Sequence, residues 1–382
     1  MRIENDEQGM RAALEWSARG RGTTSPRPSV GCVLVLRGEI IGGGHTQRGD
    51  GNPHGEVMAL RAARESGHDT RGATAYVTLE PCSHFGTTPP CTDTLIEAGI
   101  ARVVAGVRDP NPMIDGRGYQ VLREAGIEVI EDFMQPECAR AQDHFLKYIT
   151  TGLPFVTLKI AASLDGKIAT KSGESQWISS PASRQRAHQL RADHDAVLVG
   201  ANTVLADNPS LNVRLESSKR QPARIVLDSR GRLAQKASEF GVFKTVPEFG
   251  RTFVAATEEI SDEARAVFDS CGAQTVVAPS QDGRVDLAEL MKVLPSHQIY
   301  SALIEGGSQV AASALKAGIV DKIVFFIAPI ILGSDGLNAL APLGIENLKD
   351  APRLFGVQIE QIENDAMISG YTSAEFEVRS AE

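Results

Sequence analysis

"LEPCSHFGTTPPC", residues 79–91, reads as the end of a β-strand, a loop and the first residue of a helix, with Cys82 and Cys91 at the two turns. The apolar run "ATAYVTLEPC" (73–82) stops at a proline, and "CTDTLIEAG" (91–99) takes up a helical pattern that ends in Gly. Outward from this point the same alternation repeats. "EQGMRAALEWSARG" (7–20), "HGEVMALRAARESG" (54–67) and "GRGYQVLREAG" (116–126) are helix-periodic; "VGCVLVL" (30–36), "ARVVAGV" (101–107) and "IEVIE" (127–131) are strand-like. Helices on both faces of a mostly parallel sheet follow. The glycine-rich "GGGHTQRGDG" (42–51) lacks a G-x-G-x-x-G pattern opening a helix and reads as a loop beside the site formed by the two cysteines.

"TTGLP" (150–154) interrupts this series, and a second one begins. Strands are expected at 155–163, 195–200, 223–228, 252–257, 273–278, 299–305 and 322–329. "SPASRQRAHQLRADH" (180–194) is a helix with a serine cap and Pro181 in its first turn. The 382 residues exceed one typical core, so the chain divides into two α/β domains, 1–150 and 151–382.

The net charge is −9: residues 1–147 carry 16 cationic against 20 acidic side chains, the rest 23 against 28. Neither half is basic, which argues against a nucleic-acid partner. No window approaches the length of a membrane span, and the N-terminus has no apolar secretory run. Five cysteines, unevenly spread, suit a cytoplasmic protein whose close Cys pair binds metal rather than forming a disulfide.

His54 and Glu56 stand two apart at a helix start. A catalytic zinc takes three protein ligands and leaves its fourth position for water. His54, Cys82 and Cys91 supply three, each near a helix N-terminus that favours thiolate. Glu56 is placed to take a proton from that water and pass it to a leaving amine. His-x-Glu followed by Pro-Cys and Cys is the arrangement of zinc nucleobase deaminases, although there the cysteines are usually two residues apart, not eight. A structural metal would want a fourth side chain, and His84 is the nearby candidate.

"SPRPSVGCVLV" (25–35), "HGEVMAL" (54–60), "TAYVTLEPCSHFGTTPPC" (74–91) and "DPNPMIDGRG" (109–118) resemble the deaminase half of RibD, the bifunctional riboflavin-biosynthesis family. "LKIAASLDGKIAT" (158–170), "SGESQWISS" (172–180), "LRADHDAVLVGANTVLADNPSLNVR" (190–214) and "ILGSDG" (331–336) resemble its reductase half. The resemblance runs nearly end to end. It implies a cytidine-deaminase-like α/β/α domain followed by a dihydrofolate-reductase-like α/β domain, with Zn2+ and NADPH as cofactors. The implied substrates are small phosphorylated pyrimidines, and a homo-oligomer is expected. By the same resemblance Ala161, Trp177, Thr203, Asp207, Ser229, Gly307, Ser308, Gln309, Val310, Ala311, Ala312 and Ser313 would meet NADPH. Ser175, Arg191, Leu211, Arg214 and Glu305 would hold the substrate, and Lys159 and Asp165 would lie near the reacting sugar.

Elementary chemistry supports part of this. Gly306-Gly307 between a strand and a helix permits close approach of a diphosphate. Arg191 and Arg214 suit a sugar phosphate through forked hydrogen bonds. Ser229-Arg230, just past a strand, could read the 2′-phosphate of NADPH. Lys159, mid-strand among apolar residues, is either a catalytic acid or a paired structural residue. Three positions depart from the family: Arg27, Gly55 and Thr87 stand where Asn, Ala and a cation are usual. A cation gained at 27 could offset one lost at 87. Gly55→Ala is expected to be tolerated, since the glycine costs a helix only ~0.5–1 kcal/mol. Two other readings remain open here: a deaminase of another nucleobase fused to a reductase, and a binding protein with a degenerate deaminase half.

Overall fold

The computed structural model describes residues 2–48, 51–86, 88–216, 218 and 220–374. It forms two compact units that part between Gly152 and Leu153.

In the first unit the strands lie in the order Glu39–His45, Gly31–Leu36, Thr74–Val77, Arg102–Ala105, Glu128–Ile130. The first two pairings are antiparallel and the last two parallel, so the sheet is half parallel rather than mostly so. Helix Asp6–Gly20 starts at Asn5, whose side chain accepts the Gln8 N–H. It packs its Met10 and Ala13 into the core with Val33, Leu34 and Leu95.

The glycine run at 42–44 is strand, not the expected loop. The reason is steric. A Cβ on Gly42 would lie 2.3 Å from the Ala59 carbonyl oxygen, and one on Gly44 2.8 Å from the Ala59 nitrogen. A Cβ on Gly43 would strike the Trp16 ring on the other face, 2.3 Å from Nε1. Helix Gly55–Glu65 thus lies backbone-to-backbone on the strand. The glycines serve close approach, not mobility.

In the second unit the strand order is Gln274–Val277, Thr252–Ala256, Ala223–Leu227, Ala196–Gly200, Ser301–Ile304, Phe155–Ser163, Lys322–Ala328, Asp365–Tyr371, Phe355–Ile362. The pairings are parallel up to Lys322–Ala328. A C-terminal antiparallel hairpin closes the edge. Both strands of that hairpin lay outside the sequence reading. Phe155–Ser163 is central and its residues are mostly buried. Lys159 is therefore a charge set into the middle of the sheet. Among the described residues no helix is long and apolar enough to cross a membrane.

Candidate active sites

In the first unit His54 holds the N-cap position of helix Gly55–Glu65, and its side chain makes no cap bond. The imidazole instead faces two sulfurs: Nδ1 lies 3.2 Å from Cys91 Sγ and 3.5 Å from Cys82 Sγ. The long excursion between the cysteines returns on itself. Cys91 donates its N–H to Cys82 Sγ at 3.4 Å, and Thr92 donates to the Cys82 carbonyl at 3.2 Å. Ligand atoms of His54, Cys82 and Cys91 all lie within 4.8 Å of one another. Tetrahedral zinc with bonds of about 2.0–2.3 Å needs ligand separations of roughly 3.5–3.8 Å, which this set meets with small adjustments. Among the described residues the cluster has three members, and His84 is not one of them.

Glu56 is 2 % exposed, and its Oε2 has no hydrogen-bond partner, while Cys91 bonds its carboxylate. Burial pushes its pKa up, against the pull of His54. The Cys91 hydrogen bond and His54 draw the Cys82 thiol down despite its burial. The Cys91 thiol, bonded to Cys82 and buried, goes up. A buried acid with an unused oxygen beside three convergent soft and borderline ligands fits a catalytic zinc rather than a structural one.

Glu80, two residues before Cys82, was not singled out in the sequence. It is buried and accepts N–H bonds from Asp109 (3.3 Å), Gly116 (3.0 Å) and Gly118 (2.9 Å). These three bonds fold "DPNPMIDGRG" back so that Ile114 packs on Cys82 and Cys91. Gly118 is required there, because a Cβ would lie 2.1 Å from the Pro81 carbonyl oxygen. Arg27 donates to the Asn52 carbonyl at 3.0 Å. Its charge is felt at His54, whose pKa it lowers slightly against larger upward effects led by the Cys82 hydrogen bond. Thr87 lies outside the described residues.

Gly55 corrects the expectation that alanine is tolerated. A Cβ there would sit 2.5 Å from the Val30 carbonyl oxygen, an atom of the backbone that cannot swing aside.

The second unit holds a cleft of about 430 Å³. Lys159, Ala161, Ser175, Trp177, Arg191, Thr203, Asp207, Leu211, Arg214, Glu305 and Gly307 are among the residues that line it. At its floor Arg191 and Glu305 form a two-bond pair, Nε to Oε1 at 2.6 Å and Nη2 to Oε2 at 3.0 Å. Lys159 Nζ lies 3.9 Å from Glu305 Oε2. Burial works to raise the Glu305 pKa, but Arg191 and Lys159 outweigh it and hold it at about 2. Burial also lowers the Lys159 pKa, only partly offset by Glu305.

The third guanidinium nitrogen of Arg191 that bonds, Nη1, donates to the Asn212 carbonyl at 3.0 Å. Three of its five N–H groups are thus used within the protein, and two are left facing a cleft that Arg191 itself lines. Arg214 lines the same cleft, its Nε 3.3 Å from His188 Nε2. His188 and Arg184, also in the lining, were not singled out. With Arg191 they recur at helical spacing on Pro181–Asp193, the one signal that could have found them. Burial, then Arg191 and Arg214, hold the His188 pKa down to about 4, so it is a neutral acceptor near pH 7.

Asp165, Ser229 and residues 308–313 are not among the lining residues. Asp165 accepts from Ser163 Oγ (2.6 Å) and from the N–H groups of Leu332 (3.1 Å) and Gly333 (2.7 Å), which makes it a loop staple. Ser229 Oγ accepts the Val285 N–H at 3.1 Å. Ala311 and Ala312 are buried, and the Ala311 N–H is already bonded to the Gly307 carbonyl at 3.1 Å. At the turn into helix Ser308–Lys316, a Cβ on Gly307 would meet nothing nearer than Thr203 Oγ1 at 3.7 Å. That open, side-chain-free helix start fits a cofactor diphosphate.

Comparisons with known proteins agree with both halves. Residues 3–107 match the cytidine and deoxycytidylate deaminase zinc-binding region, and residues 154–368 the RibD C-terminal domain. The riboflavin biosynthesis protein RibD of Escherichia coli (strain K12) is 44% identical over 375 residues, covering 95% of this chain and 98% of that one. The RibD of Aquifex aeolicus (strain VF5) is 41% identical over 365 residues, 96% and 98% of the two chains. Among solved structures, a diaminohydroxyphosphoribosylaminopyrimidine deaminase/5-amino-6-(5-phosphoribosylamino)uracil reductase from Thermotoga maritima matches with TM-score 0.80 and 38% identity, over 96% and 98%. RibD of Acinetobacter baumannii matches with TM-score 0.78 and 36% identity. A zinc-binding deaminase region and an NADPH-dependent reductase region are therefore joined here, and the chain belongs to the RibD family of bifunctional riboflavin biosynthesis deaminase–reductases.

Proposed function

We propose that residues 1–150 hydrolytically deaminate 2,5-diamino-6-(5-phosphoribosylamino)pyrimidin-4-one, and that residues 151–382 reduce the resulting 5-amino-6-(5-phosphoribosylamino)uracil to its ribityl form. The observation that carries the reading is the unpartnered Oε2 of Glu56 beside the His54, Cys82 and Cys91 ligand atoms. Zinc, when bound, makes water nucleophilic near neutral pH. Glu56 holds the proton that water gives up and returns it to the departing ammonia. Its burial favours the protonated form, which suits the second half of that transfer. Ile114, held by Glu80 through the 109–118 loop, keeps bulk water from the two sulfurs.

In the second unit NADPH, when bound beside Trp177, Thr203, Asp207 and Gly307, would supply hydride for the anomeric carbon of the ribosyl group. The ring C–O bond breaks and its oxygen takes a proton. Lys159 is the group at the cleft floor with a proton to give, and burial brings its pKa towards the working range. Arg214 and Ser175 bind the phosphorylated substrate, and Trp177, Thr203, Asp207 and Gly307 bind NADPH. Asp165 shapes the 331–333 loop from outside the cleft. Ser229 and residues 308–313 stay candidates for cofactor contact through the strand end and the helix start.

The test is direct. Purified protein should hold about one zinc per chain, release ammonia from the diaminopyrimidine, and then oxidise NADPH stoichiometrically. Ammonia from cytidine or guanine alone would overturn the substrate assignment. The net charge of −9 supports small-molecule partners over nucleic acid, and five free cysteines support a reducing cytoplasm. The edge strand Phe355–Ile362, with Val357 and Ile359 open to solvent, supports a homo-oligomer, which sedimentation would detect.

A further inference from the structure

Arg224 lies in strand Ala223–Leu227, is 0 % exposed, and is the largest of the fully buried side chains. Among the described residues no carboxylate pairs with it. Such a charge is costly to bury unless its donors are bonded. The two terminal guanidinium nitrogens donate to three oxygens, one from Ser210 and two from the residues that flank helix Val246–Phe249. Nη1 donates to Thr245 Oγ1 at 2.8 Å and, over a longer 3.4 Å, to the Ser210 carbonyl; Nη2 donates to the Gly250 carbonyl at 3.0 Å. Nε has no partner.

Two of these bonds lead to the same place. Ser210 belongs to the wall of the reductase cleft, with Asn208, Pro209, Leu211 and Asn212. Thr245 Oγ1 in turn donates to the Gly241 carbonyl at 2.6 Å, and the Gly241 N–H donates to Asn208 Oδ1 at 2.6 Å. Arg224 therefore reaches the wall directly at Ser210 and through Thr245 and Gly241 at Asn208. That segment needs holding. Asn208 (φ 44°) and Leu211 (φ 56°) are both left-handed, a conformation a leucine adopts only under constraint. On its far side the wall is held by Arg191 through the Asn212 carbonyl.

We propose that Arg224 is a positioning residue for the reductase, holding the 208–212 wall from behind in the shape that presents Leu211 and Arg214 to the phosphorylated substrate. This rests on the cleft being the reductase site. Burial lowers the pKa of Arg224 to about 10, which leaves it charged at neutral pH and able to donate at every nitrogen.

The experiment compares Arg224→Lys, Thr245→Val and Lys159→Met in the full chain, with wild type. A lysine cannot span three acceptors, and Thr245→Val cuts the relay to Asn208 while leaving the arginine. The expected result is a KM for the phosphoribosylaminouracil raised about tenfold in Arg224→Lys and about threefold in Thr245→Val. In both, kcat should change less than about twofold. Ammonia release by the other unit should match wild type in both. If Arg224→Lys does not fold, Thr245→Val decides alone: a folded Thr245→Val with wild-type KM overturns the proposal. A fall in kcat with KM unchanged in either variant also overturns it. Reduction undiminished in Lys159→Met would instead overturn the cleft assignment beneath it.

Discussion

The carbonyl oxygen of Val30 occupies the space in which a side chain on Gly55 would begin, 2.5 Å from the position of its Cβ. Gly55 opens the helix that carries Glu56 and follows His54, so this one contact sets how close ligand and acid sit to strand Gly31–Leu36. Gly55→Ala should lower stability by about 1–3 kcal/mol through overpacking and weaken zinc retention. Thermal melting and metal analysis after dialysis check both. A melting temperature and zinc content equal to wild type would show that the helix start can shift freely.

Glu56→Gln keeps the shape and removes the proton carrier. Ammonia release should fall by about 10²–10⁴-fold while zinc content and NADPH oxidation stay at wild-type levels. The three readings taken on one preparation separate lost chemistry from lost metal. A variant that deaminates normally excludes Glu56 from the reaction.

Glu80→Ala removes the acceptor of three N–H bonds at once and leaves those donors without their partner. A loss of about 1–3 kcal/mol per stranded donor is the upper range, relieved wherever water enters. The expected signs are faster hydrogen exchange in 109–118 and easier chelation of zinc, because Ile114 no longer covers the sulfurs. Exchange unchanged in that loop would deny Glu80 its organising part.

The Arg191–Glu305 pair makes an acid-side prediction. The Glu305 pKa is depressed from 4.5 to about 2 in the fold. Its contribution to stability is therefore complete above the unfolded value and is lost as pH falls from about 4.5 towards about 2. Glu305→Gln should flatten that part of the stability–pH curve. It should also cost about 3–5 kcal/mol at neutral pH, since it leaves buried Arg191 and Lys159 without their counter-charge. Chemical denaturation across pH 2–7 reads both effects, and a parallel curve for variant and wild type would refute the pairing.

The strands and helices whose periodicity is undiluted, such as Gly31–Leu36 and Pro181–Asp193, stand close to where the sequence puts them. The zinc ligands were legible too, because a metal needs particular donor types whatever the backbone does. The glycine strand at 42–44 was not, since glycine signals both turns and tight packing and only the helix above it says which. The C-terminal hairpin was missed although Phe355, Val357 and Ile359 alternate with Gly356, Gln358 and Glu360; the strand is exposed along most of its length. That Glu305, 114 positions later, takes two of the Arg191 N–H groups is likewise invisible in the sequence. Glu80 acts through backbone N–H groups and Arg224 through two carbonyls and the Thr245 hydroxyl, and neither set leaves a pattern in the sequence.

The return of the 82–91 excursion onto Cys82 has a consequence for change in this enzyme. Because Cys91 and Thr92 bond back to the sulfur and carbonyl of Cys82, the two ends of the excursion are tied directly to each other. The intervening segment can lengthen, shorten or be exchanged without dragging the ligands apart. It is a cassette at the mouth of a fixed centre, the place where a new substrate preference could be written while the metal chemistry is left intact.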